Sequence, residues 1–160
     1  MTSPLPDGVT TAADHNTVCA SIVVDATPTE VFSYIRRPAN HPAISGDHTV
    51  KGTRTGPDSL DAGSRFGMRM KVLGVPYNIT SKVVEFEVDR LIAWCHLNGH
   101  RWRWQLAPTD DGRTTLTETF DLSTARFPPA LRAAGFPKRH EQNVARSVAN
   151  VAEHFRGQSR

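Results

Sequence analysis

The last stretch of the chain is a helix that cannot stand alone. Val144, Val148, Val151 and Phe155 recur at i, i+4, i+7 and i+11 within residues 137–156, which puts them on one helical face. Ala145 and Ala152 flank that stripe, while Arg139, Arg146, Asn150 and Glu153 lie elsewhere on the wheel. A helix patterned this way needs an apolar surface to cover its stripe. What precedes it is rich in strand signals, so the surface it seeks is the face of a sheet.

Residues 62–124 read as five consecutive strands, and the turns between them specify which side chains share a face. Asn98-Gly99 is the strongest turn signal. Read as a two-residue hairpin, it places Leu97 opposite His100, Cys95 opposite Trp102 and Ala93 opposite Trp104, leaving Ile92 and Trp94 on the outer face. A loop at Asp89-Arg90 pairs Phe86 with Ala93. A turn at Gly74-Val75 pairs Met70 with Ile79, Met68 with Ser81 and Val72 with Tyr77. Val83 and Val84 both ask for the inner face, which predicts a bulge between them. A three-residue loop, Asp110-Asp111-Gly112, with Gly112 left-handed, pairs Trp104 with Glu118 and Trp102 with Phe120. The outer face then carries charges of alternating sign, among them Arg69, Lys71, Lys82, Glu85, Glu87, Arg101 and Arg103.

The front of the chain is shorter on pattern. Residues 1–16 read as a flexible lead-in, and residues 17–25 as a first strand. Thr27-Pro28-Thr29-Glu30 opens a helix with a capping box and proline at the first helical position. Pro38 closes it, a turn of helix follows near His41-Pro42, and residues 48–55 supply a second strand. Nothing in the first 16 residues has the basic-then-apolar form of a signal peptide, and no apolar run has bilayer length, so a cytoplasmic location is the expectation. The net charge of +3 is dispersed, which argues against specific nucleic-acid binding. Cys19 and Cys95 read as buried free thiols, and the seven histidines lack metal-ligand spacing. No cofactor motif is present; residues 63–67 lack the Lys-Ser/Thr of a phosphate loop.

Strand, capped helix, antiparallel meander, long final helix is also the order of a known superfamily. The run Ile22-Val23-Val24-Asp25-Ala26-Thr27-Pro28-Thr29-Glu30-Val31-Phe32, the Arg37-Pro38 to His41-Pro42 segment and residues 114–121 resemble the START / polyketide cyclase / pollen-allergen superfamily. That resemblance implies an α+β helix-grip fold. A curved antiparallel sheet of six to seven strands would wrap a long C-terminal helix, with two short helices after the first strand. It implies one domain over residues 17–156 with a hydrophobic cavity between sheet and helix. Relatives bind lipids, sterols, polyketides or plant hormones, and some cyclise or dehydrate polyketide chains, so the fold alone does not select an activity.

The inner-face register nominates a lining of Met68, Met70, Ile79, Phe86, Trp102, Trp104 and Phe120. Tyr77 and Ser81 present polar tips there. His140, just inside the Gly135-Phe136-Pro137 break, is a candidate gate, and His100 is a weaker candidate at the end of the face. Glu118 is the sharpest. A carboxylate on an apolar face demands a partner or a raised pKa, and makes Glu118 the first choice for any acid/base role. Each of these is also compatible with core packing alone. The expected function is binding of a hydrophobic or amphipathic small molecule. A polyketide cyclase/dehydrase-type enzyme is the alternative. A protein-interaction module, or a homodimer, formed through outward Ile92 and Trp94 is a third.

Overall fold

Eight antiparallel strands form one sheet in the computed structural model, which describes residues 3–158. They are β1 (Thr10–Ala13), β2 (Thr17–Val24), β3 (Val50–Thr55), β4 (Arg65–Val72), β5 (Val75–Glu87), β6 (Leu91–Cys95), β7 (Arg101–Pro108) and β8 (Thr114–Asp121). Their spatial order is β1-β2-β8-β7-β6-β5-β4-β3. Strands β3 to β8 run as a meander, and β2 returns beside β8, so the first long strand joins the last. The count exceeds the expected six to seven because Thr10–Ala13, inside the expected lead-in, pairs with β2 from Thr10↔Ser21 to Ala13↔Val18. Val9, just before β1, is buried.

Four α-helices accompany the sheet among the described residues: α1 (Pro28–Ile35), α2 (His41–Ile44), α3 (Pro128–Ala133) and α4 (Glu141–Arg156). The Thr27 hydroxyl accepts from Glu30 N while Glu30 Oε2 accepts from Thr27 N at 2.8 Å, the reciprocal capping box that the sequence announces. A short 3₁₀ turn over Lys138–His140 precedes α4, so the regular helix starts at Glu141 rather than at Pro137.

Helix α4 lies across β2 and β8. Val144, Val148, Val151 and Phe155 are all buried, facing alternate β2 residues Val18, Ala20 and Ile22 and the β8 residues Leu116 and Phe120 in one core. Burying each such side chain contributes on the order of 2 kcal/mol. The outer face carries an ion-pair cluster instead. Arg103 bridges Glu85 at 2.9 Å and Asp121 at 3.3 Å, and Arg101 reaches Glu85 at 3.2 Å.

The β7–β8 register is as the sequence predicts, with Trp104↔Glu118, Trp102↔Phe120 and Gly112 left-handed at φ 82°. The bulge beside Val83 is present, but Val84 is its extra residue and is exposed rather than inward. The β4–β5 turn sits one residue earlier than expected, at Leu73-Gly74, where both φ angles are positive, 49° and 83°. That shift changes partners by two and leaves the faces as predicted, with Met68↔Ile79 and Met70↔Tyr77.

The β6–β7 hairpin differs in a way that matters. Its register is Trp94↔Trp102 and Ile92↔Trp104, one residue from the expectation. The loop is Leu97-Asn98-Gly99, in which Gly99 alone has positive φ, 78°, where a two-residue type I′ turn needs it at both central positions. Two tertiary hydrogen bonds hold this form. Asn98 O accepts from Arg126 N at 2.7 Å, and Gly99 O accepts from Thr124 Oγ1 at 2.7 Å. A one-residue slip exchanges the faces of a strand, so Ile92 and Trp94 turn inward. The apolar outer patch expected to serve a partner or a homodimer is therefore not formed by these two residues.

Candidate functional site

Helix α4 covers the β2–β8 side of the sheet with apolar residues, but its first turns present Gln142, Asn143, Arg146 and Ser147 toward β4–β7. These polar side chains do not fill the hollow of the curved sheet. A cavity of about 610 Å³ remains, closed on its third side by Ile44 and the connection from α2 to β3. Its size falls within the range typical of small-molecule sites.

Nine of the eleven residues nominated from sequence line it: Met68, Met70, Tyr77, Ile79, Ser81, Trp102, Trp104, Glu118 and His140. The other two do not. Phe86 lies on the inner face beyond the cavity, packed edge-to-face on Phe32 at 5.6 Å with the Arg36 guanidinium 5.5 Å from its ring. Phe120 is fully buried behind the lining, 4.7 Å from Trp102 and 4.3 Å from His140 between ring centroids. It supports the aromatic wall from the core side. His100, the weaker candidate, also lines the cavity.

Sequence reasoning missed Trp94, His96 and His41. The first two were hidden by the slipped β6 register. The sequence marks His41 only as part of a turn near Pro42, yet it is buried, stacked on Trp94 at 4.9 Å, with its Nε2 2.9 Å from Ile35 O. Its place after proline-capped turns carried no signal of that burial. Asp47 was also missed. It stands at the mouth, held by Ser45 Oγ at 3.0 Å and Thr49 Oγ1 at 2.8 Å. Tyr77 is 41% exposed, so this side of the cavity opens to solvent.

Burial shifts the titratable groups of the interior. Burial pushes the Glu118 carboxyl well above its ordinary range, the Ser147 hydroxyl partly opposing and the Asp47 carboxylate adding to the rise. His100 and His140 are lowered to about 4, mainly by burial, and His96 is lowered for the same reason. Burial thus works against the charged form of both kinds of group, the carboxylate of Glu118 and the imidazolium of His96, His100 and His140.

Five buried polar atoms on its lining residues also lack partners. Among the described residues, Glu118 Oε2, Trp104 Nε1, His96 Nδ1, His100 Nδ1 and Gln142 Oε1 are buried without a hydrogen bond, and all five residues line this cavity. Buried polar groups are ordinarily paired; the residues that carry these exceptions are gathered around one hollow. A smaller depression of about 380 Å³ by the β5–β6 turn, lined by Arg90, Gln105 and Thr117 among others, has none of them. Among the described residues no cluster of three or more His, Cys, Asp or Glu is placed to hold a metal ion. Cys19 and Cys95 are unpaired and half-buried. No described helix is long and apolar enough to cross a membrane.

Comparison with known proteins agrees with this geometry. The solved aromatase/cyclase Zhui from Streptomyces sp. R1128 superposes with a TM-score of 0.69 at 17% identity, over 90% of this chain and 95% of that one. A Rhodobacter sphaeroides protein superposes with a TM-score of 0.69 at 16% identity, over 93% and 98% of the two chains. At these identities the likeness speaks for the helix-grip fold alone. In sequence, the uncharacterized protein Rv0088 of Mycobacterium tuberculosis is 33% identical over 142 residues, 86% of this chain. The match spans only 63% of that longer relative. The family pattern described as polyketide cyclase / dehydrase and lipid transport matches residues 15–156. With its helix gripped by a curved sheet and that match over nearly its whole length, the chain belongs to the polyketide cyclase / dehydrase and lipid transport family.

Proposed function

We propose that this chain binds a hydrophobic or amphipathic small molecule in the cavity between the sheet and α4. The observation that carries the reading is the 610 Å³ hollow itself, walled by Met68, Met70, Ile79 and three tryptophans and containing orphaned polar atoms. Apolar burial would drive association at about 25 cal/mol per Å², less the cost of lost freedom. Trp102 is half-buried, so its replacement disturbs the wall more than the core. Trp102→Ala is expected to weaken binding of long-chain fatty acids and lipophilic dyes by about tenfold or more, the loss of one large aromatic contact, with the circular-dichroism spectrum unchanged. Undiminished binding in a folded variant would overturn the reading.

A second reading is favoured by Glu118, whose carboxyl burial raises well above its ordinary range, on a cavity also lined by His100 and His140, lowered to about 4. An acid and bases of this kind suit proton transfer on a polyketone, as in a cyclase or dehydrase. Mass spectrometry of polyketone recovered after incubation separates the two readings: a carrier returns it intact, an enzyme returns it altered.

A further inference from the structure

The orphaned atoms are not scattered through the cavity; four of them form two separate stations. Trp104 and Glu118 are direct cross-strand partners on one face of β7 and β8, 2% and 4% exposed, and their Nε1 and Oε2 atoms are both unpaired. His96 and His100 flank the β6–β7 loop with rings 4.8 Å apart, and the Nδ1 of each is unpaired. Along the inner face His100, Trp102 and Trp104 alternate at two-residue steps. Four extended residues span on the order of 13 Å, which sets the separation of the stations. The wall between them is apolar, formed by Trp102 with Met68, Met70 and Ile79 nearby.

Each station asks for the same chemistry. The Trp104 indole can only donate, so its partner must offer a lone pair. A carbonyl or hydroxyl oxygen does so, and a hydroxyl also has a proton or lone pair for Glu118. An unpaired imidazole nitrogen takes a hydroxyl in either tautomer. A molecule that is apolar throughout would leave all four atoms dry and unpaired, which costs affinity at each. A molecule with one polar end would satisfy only one station.

Resting on the binding reading above, we propose that the cavity takes a ligand with two neutral oxygen functions, carbonyl or hydroxyl, at opposite ends of an apolar body. One end is held by Trp104 and Glu118, the other by His96 and His100. The test compares a ten-carbon α,ω-diol, whose extended oxygens have a comparable separation, with the ten-carbon primary alcohol, by isothermal titration calorimetry. A lipophilic dye serves as the control for occupancy of the cavity. The intact protein is expected to bind the diol about tenfold more tightly than the alcohol, the value of one net buried hydrogen bond. Trp104→Phe removes one donor and keeps a ring, and His100→Phe, combined with His96→Phe, removes the other station at half-buried positions where folding is less at risk. Either variant is expected to bring the diol-to-alcohol ratio close to one. Equal binding of diol and alcohol to the intact protein, or a diol preference that survives the double substitution His96→Phe and His100→Phe in a folded protein, overturns the two-station proposal while dye binding leaves the cavity reading standing. Failure of dye, alcohol and diol alike overturns both.

Discussion

Glu118 and the buried histidines give this protein opposing pH responses. The carboxyl of Glu118 is raised well above its ordinary 4.5 by burial, so between that value and its folded value the folded state keeps a proton that the unfolded state has lost. Stability must fall as pH rises through that window. His41, His100 and His140 are lowered from 6.5 to about 4, so the unfolded state binds protons there that the folded state refuses. Stability must fall as pH drops through that interval, and three imidazoles outweigh one carboxyl where the windows overlap. The urea midpoint is expected to climb from pH about 4 to about 6.5. Glu118→Gln removes the opposing carboxyl and is expected to steepen that climb. An unchanged slope in the variant would show that burial does not raise the Glu118 carboxyl. The inward placement of Glu118 was legible from sequence because Gly112 and the Leu106–Leu116 pair specify that hairpin from local residues. The burial of His41 was not, because it depends on Trp94 arriving from a distant strand.

Among the elements, the connection from α2 to β3 forms a cavity wall only because it is tied to α4. Gly46 N donates to Ser147 Oγ at 3.1 Å, and Asn150 Nδ2 donates to Ile44 O at 3.1 Å. The approach requires glycine. A Cβ at Gly46 would collide with the Asn143 carbonyl and lie 2.9 Å from both Ser147 N and Arg146 Cβ. Gly46→Ala is therefore expected to destabilise the protein by about 1–3 kcal/mol, the usual cost of overpacking, measured by urea unfolding. It should also weaken dye binding, since the displaced wall is the one that carries Asp47. Unchanged stability would mean that the contact yields without cost. Nothing local to Gly46 announced this role. The capping box of α1, by contrast, was readable in full because all its groups lie within four residues, Thr27 to Glu30.

In the molecule as a whole, which face of β6 looks into the cavity depends on one loop. Trp94 stacks on His41 and meets Phe66 edge-on at 5.7 Å, inside the cavity rather than on a partner face. Trp94→Ala is expected to lower affinity for a lipophilic dye by severalfold while the mass in solution stays that of the intact protein; a changed mass with unchanged dye affinity would return Trp94 to the surface. Sequence alone determined the α4 stripe, the α1 cap, the order of strands and the inner face of β4, β7 and β8. Those features arise from short-range periodicity and turn chemistry, which every residue carries with it. Tertiary structure decided the rest. The Arg126 and Thr124 contacts to the 97–99 loop selected a bulged hairpin and so the face of β6. Pairing with β2 made a strand of Thr10–Ala13. The mismatch between the curvature of the sheet and the polar first turns of α4 left a cavity where a packed core would otherwise stand. Each of these depends on groups far apart in the chain, and no local pattern records how such groups meet.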